Sequence, residues 1–275
     1  MAVKEYDNGK LIIYTIEELI EQLNVPIIDG RDNSSDDDDY GFSLTNSFEE
    51  AMDLMIKGDV KSQSKILEIK TKLDYEMNSK QSIKVRSRAD VAGYSPIVAN
   101  AVMGLPKSMI NSYRVPVKNK IVDIYINHSV GGFMGAETIE FRGAYILSYI
   151  DHLEQNGYRV NLYAGAFSYD AYEYDYSGFY VKVKSASQPL NTLKAAFYAV
   201  HPSFLRRIYF RILENEPRLK DKTHNGYGQA TNFSQQRKLQ NKMLGKDVII
   251  LDRSIELDED KSYEDNIKEL EKFFS

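Results

Sequence analysis

The eight residues Lys120–Asn127, KIVDIYIN, restrict the fold more than any other stretch of this sequence. Ile121, Ile124 and Ile126 put β-branched bulk on a near-continuous apolar run, the pattern of a strand that a parallel sheet buries on both faces. Ile139, Gly143, Ile146, Ile150 and Leu153 then fall on one face of a helix over residues 137–156, and Asn156-Gly157 stops it in the left-handed manner. Residues 159–163 make a second strand. Strand, helix and strand form a βαβ unit, whose crossover should be right-handed.

Further elements extend this unit in both directions. Residues 178–184 alternate like a half-exposed strand, and Pro202 breaks the helical pattern of residues 190–213 into two. A third core strand is expected at residues 247–251 (DVIIL), and a closing helix over 263–274 with Ile267, Leu270 and Phe274 inward. Upstream, residues 11–14 read as a strand and 16–23 as an amphipathic helix. Ser47 caps a helix that Gly58 ends, with Glu50 reaching back to the cap, and a second helix covers residues 59–78. Residues 91–109, with Gly and Pro at both ends of an apolar stretch, read as a compact turn-rich element. The expected organisation is α/β: a mostly helical N-terminal extension over residues 1–115, then a doubly wound sheet over 116–275.

Charge is distributed in blocks, which says more about partners than the net −5 does. Residues 29–39 hold six Asp against one Arg. Such a segment is too polar to pack, so a mobile loop is expected there, and deletion of residues 30–40 should leave folding intact. Residues 80–120 carry eight basic residues against the single acid Asp90, and residues 256–275 return to acid. In an extended strand Lys84, Arg86 and Arg88 share one face. Together with Arg206, Arg207 and Arg211 they are the candidate nucleic-acid contacts.

No apolar run approaches the roughly 20 residues that cross a bilayer, and the first ten residues lack the apolar stretch of a signal peptide. With no Cys, thiol chemistry and disulfides are excluded. A cytosolic protein without a membrane partner is expected. Residues 167–180 crowd Phe167, Tyr169, Tyr172, Tyr174, Tyr176, Phe179 and Tyr180 among Asp170, Glu173 and Asp175. Tyrosine suits protein interfaces and base stacking, but the interleaved acids disfavour phosphate. Tyr169, Tyr172, Tyr174 and Tyr176 are therefore the candidate protein interface, the other reading being a plain structural hairpin.

The order of KIVDIYINHSVGG, the helix FRGAYILSYIDHLEQNGY, the strand RVNLYA and the late DVIILD resembles the von Willebrand A fold. GLPKSM, FRGAYILSYIDHLEQNGYRVNLY and HPSFLRRIYF are similar to a family of uncharacterised bacteriophage proteins, over residues 90–255. The resemblance implies a fold, a phage origin and hence the host cytoplasm, but no activity. In metal-binding A domains the first strand ends in Asp-x-Ser-x-Ser, and the matching positions here are Asn127, Ser129 and Gly131. Asp252 matches the distal acidic ligand. One charge and one hydroxyl are missing, so a degenerate site follows, with no resident cofactor and Mg²⁺ held only weakly.

Two other features sit near that strand. Residues 130–135, VGGFMG, precede a helix and could turn amides toward an anion, but they lack the G-x-G-x-x-G spacing and read as a turn. His128 lies where open α/β sheets bind ligands, and among the four histidines no two have metal-ligand spacing on a helix. The sequence thus points to a non-catalytic interaction protein presenting von Willebrand A-like loops to a protein partner. The alternative is a nucleic-acid-binding accessory factor for phage transcription or replication.

Overall fold

A computed structural model describes residues 1–6, 8–37, 39–78, 85–114, 120–131, 134–170, 174–230, 233–252 and 254–274. Two strands come first, β1 (Ala2–Tyr6) and β2 (Gly9–Tyr14), paired antiparallel. Thr15 caps α1 (Ile16–Leu23): its hydroxyl accepts from the Glu18 amide, and Glu18 Oε2 accepts from the Thr15 amide. A single turn, α2 (Tyr40–Ser43), precedes α3 (Phe48–Lys57) and α4 (Val60–Asn78). Ser47 caps α3 as expected by accepting from the Glu50 amide, although the Glu50 carboxylate turns to the Asn46 amide instead of back to the cap.

Next come β3 (Val85–Asp90), β4 (Ser95–Pro96), α5 (Val98–Val102) and β5 (Met109–Arg114). The expected central strand is β6 (Lys120–Asn127), followed by α6 (Ala136–Gln155) and β7 (Tyr158–Asp170). Gly157, at φ 90°, takes the left-handed turn that releases α6 into β7. A long hairpin returns as β8 (Asp175–Lys184), and α7 (Thr192–Val200) ends just before Pro202. A π-helical stretch, Phe204–Tyr209, runs directly into α8 (Phe210–Asn215). Last are α9 (Phe233–Leu244), β9 (Ile249–Leu251) and α10 (Tyr263–Phe274).

Residues 1–74 and 120–275 form one compact unit, and residues 75–119 form another. The larger unit is an α/β structure around a six-stranded mixed sheet in the order β1-β2-β8-β7-β6-β9. β6 pairs in parallel with β7 on one side and β9 on the other, while β8 runs antiparallel to β7. The expected boundary at residue 115 is corrected by β2, which pairs in parallel with β8 from Gly9↔Tyr176 to Tyr14↔Val181. The physical reason is twofold: β8 needs a hydrogen-bonding partner on its open edge, and Leu11, Ile12 and Tyr14 are all buried once β2 supplies it. The N-terminal helices therefore belong to the main unit, and residues 75–119 form the second.

Both faces of the sheet are covered. Ile12, Tyr14, Ala164, Ala166, Phe179 and Val181 point to a core completed by α1, α3, α7 and α8. Their neighbours Leu11, Tyr125, Phe167 and Tyr180 point the other way, against Leu239 and Met243 of α9. This period-two alternation produces the layering. α6 packs against α7 so closely that a Cβ on Gly143 would collide with the Ala199 carbonyl. No helix among the described residues is long and apolar enough to cross a membrane.

Candidate binding cleft at the carboxyl edge of the sheet

Because β6, β7 and β9 are parallel, their carboxyl ends share one edge, and β6 is where the chain departs to both sides. Open sheets of this kind bind ligands at that switch point. Asn127, His128, Ser129 and Asp252 all lie there, each buried. The Asn127 carboxamide oxygen accepts from the Ser129 amide at 3.0 Å and from the Phe167 amide at 3.2 Å, tying the end of β6 to β7. Asp252 Oδ1 accepts from the Ser254 amide and hydroxyl at 3.0 and 2.6 Å. Its other oxygen accepts from Arg237 of α9 at 2.8 Å.

One further group, Arg142, crowds this edge without having been foreseen, beside His128, which was. Arg142 of α6 is buried and donates to the Leu251 carbonyl at 3.1 Å; burial pushes its guanidinium down to about 10, against the pull of Asp252. His128 packs edge-on against Phe204 at 5.4 Å. Burial first, and the Arg142 charge second, lower its imidazole to about 3, so it stays neutral. Among the described residues no group of three or more His, Asp or Glu is placed to hold a metal ion.

Beside these groups opens a cleft of about 670 Å³, walled by Phe42, Ser129–Gly131, Ser168, Tyr209, Phe210 and residues 226–230. Its far wall depends on three successive left-handed residues, Gly226, Tyr227 and Gly228, at φ 67°, 62° and 87°. For a tyrosine this conformation is strained, and the surroundings hold it. The Tyr227 ring stacks on Phe210 at 3.8 Å, its hydroxyl donates to Glu214 Oε1 at 2.7 Å, and it accepts from the Ser34 amide at 2.9 Å. Tyr209 and Ser168 share a hydrogen bond of 2.8 Å at the floor. Lys222, fully buried, donates to the Ser168 carbonyl at 3.1 Å; burial brings its ammonium down to about 8, against Asp175 and Asp170.

Of Arg206, Arg207 and Arg211, expected to touch nucleic acid, only Arg206 lines the cleft, and all three bond to the segment from Ser35 to Thr45. Arg207 is fully buried and donates to the carbonyls of Ser35 at 2.9 Å, Asp37 at 2.5 Å and Thr45 at 3.0 Å. Arg206 pairs with Asp39 at 2.6 Å over the Phe210 ring, and Arg211 pairs with Asp36 at 2.6 Å over the Phe48 ring. The acidic run is thus the counter-charge for these arginines, and Arg207 is closed to any ligand.

The same contacts correct the expectation of a mobile, deletable loop. Ser35 is completely buried; its amide and hydroxyl donate to Glu214 at 2.9 and 2.5 Å. Arg31 donates to the carbonyls of Leu213, Glu216 and Leu219. A segment with no apolar anchor is held here by buried polar bonds.

Of the tyrosines, Tyr176 is buried against Phe167 and packs on Tyr169 across the β7–β8 pair at 4.8 Å, so it is core and not interface. Tyr174, with φ 54°, is 72% exposed, and Tyr172 lies outside the described residues. In the smaller unit Arg88 pairs with Asp90 at 3.0 Å; Arg86 lies on β3, and Lys84 is outside the described residues. Phe42, Tyr209, Phe210 and Tyr227 were not singled out from sequence. Gly-Tyr-Gly at 226–228 was the one local sign of a special backbone.

A protein family described as a domain of unknown function (DUF7192) matches residues 12–275, and the chain belongs to that family. No curated protein and no solved structure matches it.

Proposed function

We propose that this member of the DUF7192 family is a non-catalytic binding protein of von Willebrand A-like build, which receives an apolar or aromatic side chain of a protein partner in the cleft. The observation that carries this reading is how the cleft is lined. Its two charged groups, Arg206 and Asp39, are paired at 2.6 Å, and four aromatics, Phe42, Tyr209, Phe210 and Tyr227, line it together with Val130, Leu205 and a few uncharged polar groups. Such a surface offers burial and hydrogen bonds to a guest. Nearby, Asn127 and Asp252 have their carbonyl and carboxylate oxygens engaged by neighbours, and His128 is buried and neutral. The local order β8-β7-β6-β9 supports the likeness: β6 has parallel neighbours on both sides, and an antiparallel strand lies beside β7.

The absence of Cys makes the test clean. A benzophenone placed through Phe42→Cys should crosslink one protein from the source cells. The same label through Ile121→Cys, 65% exposed at the opposite end of β6, should not. Equal crosslinking from both positions, or none from Phe42→Cys, overturns the reading. The nucleic-acid alternative keeps one support, the basic excess of residues 75–119, seven basic against two acidic. Crosslinking to nucleic acid, weakened by salt, would favour it.

A further inference from the structure

Along one wall of the cleft the chain makes a single isolated rung of sheet. Tyr169, near the end of β7, and Gln229 exchange both backbone bonds: the Tyr169 amide donates to the Gln229 carbonyl at 3.0 Å, and the Gln229 amide donates to the Tyr169 carbonyl at 2.8 Å. The peptide units on either side of Gln229 are planar and trans, so within each of them the N–H and the C=O point in opposite directions. Because Gln229 turns its amide and carbonyl to β7, the Gly228 carbonyl and the Ala230 amide must turn away from it. Both residues line the cleft and are half-buried, and neither of these two groups has a hydrogen-bond partner among the described residues.

This edge is fixed before any guest arrives. The left-handed run Gly226, Tyr227 and Gly228 turns the chain onto β7, and the Tyr227 ring is stacked on Phe210. Gly228 lies so close to β7 that a Cβ there would collide with the Ser168 side chain. A carbonyl and an amide flanking one residue form the pattern that a strand offers to a parallel neighbour, a single residue of which donates to the first and accepts from the second. A helical guest spends its backbone groups internally and cannot answer that pattern, whereas an extended chain can.

We propose that the guest of the cleft is an extended peptide segment of the partner, added as a strand on Gly228 and Ala230, with a neighbouring side chain entering among the aromatics. This rests on the reading of the cleft as a receptor for an apolar or aromatic side chain, and adds the conformation in which that side chain is delivered.

Decapeptides selected from a random displayed library on the full chain, then synthesised, are the probe, and those used are the ones whose affinity Phe42→Ala lowers at least tenfold. Methylation of single backbone nitrogens along such a peptide should lower affinity at least tenfold at the position that faces the Gly228 carbonyl. Ala230→Pro, which removes the amide donor, should weaken the unmodified peptide at least tenfold. Should that variant fail to fold, hydrogen exchange of the Ala230 amide in the wild type decides, since saturating peptide should slow it at least tenfold. A Phe42-dependent peptide that tolerates every single methylation and leaves Ala230 exchange unchanged overturns the added strand while the cleft reading stands. Failure to obtain any Phe42-dependent peptide overturns both.

Discussion

Arg237 and Asp252 form an ion pair of 2.8 Å that puts a guanidinium from α9 on the carboxylate following β9. Any divalent cation would have to displace that guanidinium and also win the Asn127 oxygen from two backbone amides. Calorimetric titration with Mg²⁺ or Mn²⁺ should therefore give no dissociation constant tighter than about 1 mM. Micromolar binding lost in Asp252→Ala would refute this.

The same pair has a stabilising role. Asp252 is buried while Arg237 is one-third exposed, so removal of the cation leaves a buried carboxylate with Ser254 as partner. Arg237→Ala should cost about 1–3 kcal/mol in urea denaturation, below the full value of a buried pair because water reaches the arginine. An unchanged midpoint would mean that Ser254 and the nearby Arg142 charge suffice for Asp252.

Deletion of residues 31–39 should be severe. It removes two of the three carbonyls that the buried Arg207 guanidinium reaches and takes Ser35 from the buried Glu214 carboxylate. A loss of about 3 kcal/mol or more is expected, and at roughly 2–4 °C per kcal/mol the melting temperature should fall by several degrees at least. Melting within a degree of wild type would restore the picture of a dispensable loop.

Gly143→Ala should lower the melting temperature by several degrees or more, because the added methyl meets the Ala199 backbone and no side chain can swing away. Overpacking of a rigid contact costs about 1–3 kcal/mol or more. Thermal melting at wild-type temperature would show that α6 and α7 can separate freely.

Acid should weaken the fold partly through His128. The unfolded imidazole takes a proton near 6.5, whereas the folded one refuses it until about 3. The unfolded state thus binds more protons in that window, and stability falls as pH drops from 6.5 toward 3, by up to about 1.4 kcal/mol per pH unit. His201, also lowered by burial, acts in the same direction. The pH dependence of denaturation for His128→Phe should be shallower than wild type by about one proton between pH 6 and 4. Equal slopes would show that His128 protonates within the fold.

What could be read in advance was what a local pattern encodes. β6, α6 and the glycine stop at Gly157 each depend on residues within a turn or a pleat of one another, and all three were legible. The pairing of β2 with β8 depends on residues more than 160 positions apart, and nothing in GKLIIY names its partner. Arg206, Arg207 and Arg211 looked like one basic surface because charge was legible and direction was not. In the fold one guanidinium points inward to carbonyls and two meet the acidic run. The cleft was missed for the same reason: Phe42, Phe210 and Tyr227 are ordinary aromatics until three distant segments converge.

The partnership of β2 and β8 also sets a timetable. A ribosome adds about 5–20 residues per second, so β2 waits on the order of ten seconds or more for the strand that completes it. Throughout that interval Leu11, Ile12 and Tyr14, all buried in the finished sheet, have no cover from β8. Closure of the sheet is consequently a late, long-range event in the life of the nascent chain, and β2 is secured on that side only after β8 has emerged.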